Sequence, residues 1–372
     1  MAADTSLSGP SLPWKVIARA LGFQSQDHEL WWLNAAPMLN RLMEECDYGI
    51  HLQYKYLLFF YHYVIPVLGP FFPPGTVPNY ISRLTKHGHP LDMSINFQET
   101  GGMVRITFGV VGSFAGLQRD PLNQFKTREF LNALTPIDRS ISLQWFNHFE
   151  SEFFIDHRDI QMVTSTLPKV DWATKMLSAD MKKNGDMVLK AYYMIRPKSV
   201  VTGLPTSTLI FNAIQHLGPA FNSGLSLMKQ FFSTSHEAKP LDMGLLGFDC
   251  LDPELSRIKL YASNNDGTFD SIRRFWTLDG ALNDDMITRG LSILERICDL
   301  MQFRWSTASR SLPIMFNYEI KQWSTPKPQI YLPLLDRNDQ FDSERLRAVF
   351  QDLQWKNVPV YENKEKGVAQ LL

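Results

Sequence analysis

The sequence predicts an α/β fold in which an antiparallel β-barrel is ringed by helices. Three observations lead there. Helical periodicity over several dozen residues is followed by two alternating strands joined by a turn, and this pattern recurs about four times in 372 residues. Within the hairpins one strand face is apolar and the other is polar, aromatic and cationic. No GxGxxG, Walker loop, HExxH or GxSxG occurs in a strand–helix context, so the usual signatures of nucleotide, zinc-protease and serine-hydrolase sites are missing.

The first helical stretch runs from about His28 to Leu68, with Trp32, Leu39, Leu42, Leu52 and Tyr56 at helical spacings. Leu91–Phe97 then pairs with Met103–Val111 around Gly101-Gly102. A second hairpin pairs Ala173–Asp180 with Met187–Ile195 around Asn184-Gly185, a strong turn signal. The third pairs Met243–Cys250 with Leu255–Ala262 across Asp252-Pro253. The fourth pairs Leu312–Ile320 with Gln329–Leu334 across Ser324–Pro328, and a helix over Asp342–Leu353 follows.

Alternation assigns the faces. Leu91, Met93, Ile95 and Phe97 oppose Asp92, Ser94 and Asn96; Val104, Ile106 and Phe108 oppose Arg105 and Thr107. Leu189, Ala191 and Tyr193 oppose Lys190, Tyr192 and Met194; Ile258 and Leu260 oppose Arg257, Lys259 and Tyr261; Ile330 and Leu332 oppose Gln329 and Tyr331. A flat sheet with helices on one side and a wetted polar face also fits. Closure instead hides the sheet edges and turns the polar faces into a lumen wide enough for a substrate.

The composition is that of an ordinary globular protein, with 44% hydrophobic and 20% charged residues. A formal net charge of −1 offers no global attraction to nucleic acid or an anionic membrane, so any positive charge that matters is local. Cys46, Cys250 and Cys298 are scattered and odd in number, as expected of reduced thiols in a cytoplasmic protein. Tyr56–Phe72 is apolar, but His62, Pro66 and Pro73-Pro74 mark it as a buried helix ending at a loop rather than a membrane span. One domain is expected over 1–372, with 1–13 flexible.

Arg105, Lys190, Arg257 and Lys259 share the polar faces of three hairpins, a concentration of cations suited to holding a diphosphate without a metal. A magnesium site needs clustered carboxylates; the adjacent pair Asp284-Asp285 has no third acid at helical spacing and reads as a helix start. No metal or cofactor is expected. Tyr192, Tyr261 and Tyr331 interleave with the cations, either as wall residues or as rings that stabilise a carbocation and exclude water. Asp92 is the one acid on the first polar face. It is placed to take a proton from an acceptor N–H or O–H, or to pair with Arg105.

At these residues the sequence resembles the fungal dimethylallyltryptophan synthase family of aromatic prenyltransferases. The resemblance runs from Trp31-Trp32 and QYKYLLFF (from Gln53) through VIPVLGP, PLDMSIN, VRITF, LKAYYMIRP, FDCLDPELSRIKLY and PKPQIYLPL. It implies the αββα prenyltransferase barrel, five repeats around a solvent-filled lumen. By position it implies that Arg105, Lys190, Arg257 and Lys259 hold the phosphates with Gln329 assisting. Tyr192, Tyr261 and Tyr331 would shield the cation. Partners are then a prenyl diphosphate (dimethylallyl or geranyl) and a small aromatic acceptor, acted on by a monomer or homodimer.

Two departures shape the acceptor expectation. Asp92 stands where tryptophan-using members carry glutamate, and Gly109 where many have an acid. Both resemble the branch that prenylates polycyclic polyketides, with a shortened acid and Gly109 leaving room for a bulky phenol. An indole or tryptophan acceptor is the alternative. The family also continues into a fifth hairpin with a further tyrosine, whereas this chain stops at Leu372 soon after Tyr361, leaving two strand edges without expected partners. An inactive binding barrel is therefore the alternative from another class.

Overall fold

The computed structural model describes residues 12–73, 75–98, 101–234, 243–303, 313–334 and 338–354. The expected flexibility of 1–11, the Leu312 start of the fourth hairpin and Tyr361 lie outside them. Pro13, at the end of the segment expected to be flexible, is buried and opens helix α1, Pro13–Leu21, which the periodicity had not revealed.

The expected helical stretch over 28–68 holds two helices, α2 (Gln26–Glu45) and α3 (Ile50–Phe59). The break falls at Asp47, whose φ of 58° no helix accommodates. After α3 the chain widens into a π turn over Phe60–Val64 before the short 3-10 turn Ile65–Val67. Pro66 lacks the N–H that would bond the carbonyl four residues back, which accounts for the loosened turn ahead of it. Tyr56, Leu57 and Phe60 of this segment are buried, and among the described residues no helix is long and apolar enough to cross a membrane.

Strands β1 (Leu91–Gln98) and β2 (Gly101–Phe108) form the first hairpin, with Asp92 opposite Thr107. Helices α4 (Lys126–Leu134), α5 (Gln144–Phe153) and α6 (Ile160–Thr166) lead to β3 (Lys175–Met181) and β4 (Met187–Met194). Gly185 takes φ +92° in their turn, as the Asn-Gly pair predicted. Next come α7 (Arg196–Thr202), α8 (Thr206–Gln215) and α9 (Asn222–Thr234), then β5 (Leu245–Asp249) and β6 (Ile258–Asn264). The third hairpin is shorter than expected, because Leu255 lies exposed in its loop. Finally α10 (Phe269–Thr277) and α11 (Asp285–Leu300) precede β7 (Ile314–Ile320) and β8 (Lys327–Tyr331), and α12 spans Asp339–Asp352. Asp284 caps α11 by accepting from the Ile287 N–H, the helix-start role expected of it.

All eight strands form one antiparallel sheet in sequence order, with β1 and β8 as its edges among the described residues. The apolar strand face and the helices share one core: Val104, Ile106 and Phe108 join Trp32, Leu39 and Phe60 in a single cluster. Lys175 also points to this helical side, where its ammonium lies 2.7 Å from Glu150 of α5 and Tyr193 donates to the same carboxylate at 2.8 Å. That buried group ties sheet to helix.

The sheet curls toward its polar face. Laid flat, β2 and β6 would be about 19 Å apart at four strand spacings. Instead the Arg105 charge on β2 acts directly on the Tyr261 phenol of β6. A cavity of about 640 Å³ is lined together by Met176 of β3, Tyr261 of β6 and Tyr331 of β8.

Candidate active site

The concave face gathers residues by strand parity. Arg105 on β2, Lys190 on β4, and Arg257 and Lys259 on or beside β6 share this face, as alternation assigned them. Three acids that the sequence reading did not single out stand among them: Asp180, Asp249 and Glu319.

These seven side chains form a connected ion network. Arg105 grips Asp180 with two nitrogens, Nη2 to Oδ2 being 3.2 Å. Lys190 Nζ lies 2.7 Å from Asp180 and 3.7 Å from Asp249. Arg257 bridges Asp249 at 3.0 Å and Glu319 at 2.8 Å. Lys259 lies 3.9 Å from Glu319 and donates to Gln329 Oε1 at 2.8 Å. Asn317 then donates to Gln329 at 3.1 Å and to the Tyr331 hydroxyl at 3.0 Å.

Four cations against three carboxylates leave one net positive charge, so the expected concentration of cations is braced by acids. Bracing explains how like charges sit together. Burial alone would raise the Asp180 carboxyl, but Arg105 and Lys190 hold it below the usual range. Arg105 loses solvation and still keeps its proton more tightly than usual through Asp180. Lys259 is pushed down to about 8 by desolvation and by the Arg257 charge. A polyanion entering the 510 Å³ cavity lined by Arg105, Lys190 and Arg257 would meet donors already held in place.

Deeper along the strands the tyrosines form a ladder. Ring centroids of Tyr192 and Tyr261 are 6.2 Å apart, as are those of Tyr261 and Tyr331. Tyr192 and Tyr261 are buried, whereas Tyr331 on the edge strand is open. Burial raises both inner phenols, which stay neutral. Gly247 of β5 faces the ladder: a Cβ there would stand 2.7 Å from Tyr192 Cδ1. The sequence held no signal for that requirement.

Asp92 is not brought to the cations. It lies two residues from Ser94, the neighbour of Arg105, and Arg105 pairs with Asp180 instead, which removes the salt-bridge reading. Its carboxyl group opens onto the concave face with no side-chain partner among the described residues, and partial desolvation raises it above the usual range. Gly109 makes no room for a large acceptor. A Cβ at that position would press on Pro90 Cβ at 3.2 Å, so the residue is packed against the chain before β1.

Comparison with known proteins settles the family. The profile described as tryptophan dimethylallyltransferase matches residues 27–364. This chain belongs to that family. Trans-prenyltransferase abpB of Aspergillus terreus is 58% identical over 98% of this chain and 96% of its own length. The indole diterpene prenyltransferase anaPT of Neosartorya fischeri is 38% identical over 95% of this chain and 83% of its own length. The crystal structure of AnaPT superposes with a TM-score of 0.89 at 37% identity, covering 95% of this chain and 88% of that one. NotF, crystallised with brevianamide F and DMSPP, gives 0.87 at 25% identity, covering 97% and 91%.

As a member of the tryptophan dimethylallyltransferase family the chain is a prenyl-transferring enzyme, and the inactive binding barrel finds no counterpart among these relatives. The polycyclic polyketide acceptor and the geranyl donor find no support among them either. Where the relatives' names give an acceptor, it is indole or tryptophan.

Proposed function

We propose that the enzyme transfers a dimethylallyl group from its diphosphate to the ring of an indole-containing acceptor, without a catalytic metal. The observation that carries this reading is the braced network of Arg105, Lys190, Arg257 and Lys259 at one end of the concave face, with a tyrosine ladder next to it. In this reading the polar face is a lumen closed as a barrel, within one domain spanning the chain.

The diphosphate lies among the four cations, with Gln329 holding Lys259 in place. As the allylic C–O bond breaks, both electrons leave on the diphosphate oxygen, where the fixed guanidinium and ammonium groups stabilise them. The five-carbon cation is held against Tyr192, Tyr261 and Tyr331, each ring contributing about 0.5–2 kcal/mol of cation–π attraction and excluding water. The acceptor carbon attacks and forms the C–C bond. Asp92 accepts a hydrogen bond from the indole N–H, and the proton on the attacked carbon passes to Asp92 or a water, restoring aromaticity. The network's acids are already engaged with arginine and lysine, and among the described residues no three metal-ligating side chains stand together.

The test is product analysis. Dimethylallyl diphosphate should be offered with tryptophan, tryptophan-containing dipeptides and a hydroxyanthracenone, and the products identified by mass spectrometry. Prenylated indoles are expected; prenylation of the anthracenone alone would overturn the acceptor assignment.

A further inference from the structure

The 640 Å³ cavity at the far end of the tyrosine ladder has walls of Met176, Met194, Leu245 and Met315, and its charged lining residues among the described ones are Arg83, Asp171 and Arg196. These three come from separate connections: Arg83 from the loop before β1, Asp171 from the turn Lys169–Asp171 before β3, and Arg196 from the first position of α7. Arg83 Nη1 binds one oxygen of Asp171, and Arg196 Nη1 lies 3.0 Å from the other.

We propose that Arg83 and Arg196, aligned by Asp171, form a subsite for a carboxylate carried by the acceptor on the side away from its reacting ring. The inference rests on the prenyl-transfer reading above, because it takes the tyrosine end of the cavity as the acceptor's side. Asp171 keeps only 7% of its side-chain surface, and one arginine is enough to neutralise it. The second leaves a net positive charge at the mouth of an otherwise apolar cavity. The arginine side chains are 45% and 48% exposed, and each offers Asp171 one nitrogen. Their remaining N–H donors have no other protein partner among the described residues. A guanidinium presents its donors as a planar fork that matches a carboxylate. A few placed polar groups in an apolar pocket orient a ligand. A neutral amide would use the donors but not the surplus charge, so a free monoanion is favoured over a cyclic peptide.

The experiment compares a linear tryptophan-containing dipeptide with its cyclic form at saturating dimethylallyl diphosphate. Arg83→Gln and Arg196→Gln should each raise KM for the linear acceptor by about tenfold, with kcat and the cyclic acceptor little changed. Because these variants also touch a loop contact, the wild-type enzyme supplies a second readout: KM for the linear acceptor should rise with salt, and that for the cyclic acceptor should not. Equal effects on both acceptors, or no salt difference between them, would make the triad a structural staple and overturn the subsite while leaving prenyl transfer standing. No turnover of any indole acceptor would overturn both.

Discussion

The ring of Tyr192 lies over Gly247. The two residues are directly opposed across β4 and β5, and a Cβ on Gly247 would fall 2.7 and 2.8 Å from Tyr192 Cδ1 and Cε1. The glycine is there for space rather than for backbone freedom, since its φ is not in the left-handed region.

Gly247→Ala should therefore fold and yet displace the ring that shields the cation. Overpacking of this kind costs about 1–3 kcal/mol. Turnover to prenylated indole should fall, and the fraction of donor lost as prenyl alcohol should rise. The ratio of the two products is the measurement; an unchanged ratio would mean that Tyr192 does not guard the cation.

A pH dependence follows from Lys259. Its ammonium is held down to about 8, so it is charged below that pH and neutral above it. A diphosphate needs the charged form, and kcat/KM for the donor should decline as pH rises through about 8. Lys259→Arg should move the decline to higher pH, because a guanidinium stays protonated. Glu319 supports the Lys259 charge, so Glu319→Gln should move the decline to lower pH. A profile identical in all three proteins would remove Lys259 from donor binding.

Much of this was legible in the sequence, for physical reasons. Alternation with a period of two placed Arg105, Lys190, Arg257, Lys259 and the three tyrosines on one face, and that is where they lie. The same alternation carried Asp180 and Glu319. An acid on a polar face looks the same whether it is wetted or braced, however, and only distances distinguish the two. Gly247 was invisible because its role depends on the packing of a neighbouring ring. Arg83, Asp171 and Arg196 lie in connections or at a helix start, where no periodicity reports direction. The boundary between α2 and α3 at Asp47 was not legible, since a single left-handed residue leaves the apolar spacing on either side intact.

Asp92 supplies a third prediction. Its carboxyl group is raised by desolvation and must be ionised to accept an indole N–H, so kcat should fall on the acid side above the ordinary aspartate range. Asp92→Asn should lower kcat on tryptophan-type acceptors by about 10²-fold or more while leaving donor binding intact. Full activity in the variant would show that a water molecule serves instead.

Metal independence is a fourth. With the charge of the leaving group taken by arginine and lysine, turnover should persist in excess EDTA. Loss of activity that magnesium restores would contradict it.

Donor binding tests, without chemistry or acceptor, whether the braced cations hold the diphosphate. Calorimetric titration with a non-reacting thiolo analogue of dimethylallyl diphosphate should give a Kd about ten- to a hundredfold weaker in Arg257→Ala and in Lys259→Ala, the loss expected for one charge-assisted hydrogen bond of about 1.5–3 kcal/mol. Folded variants that bind the analogue as tightly as the wild type would place the diphosphate elsewhere and contradict the account.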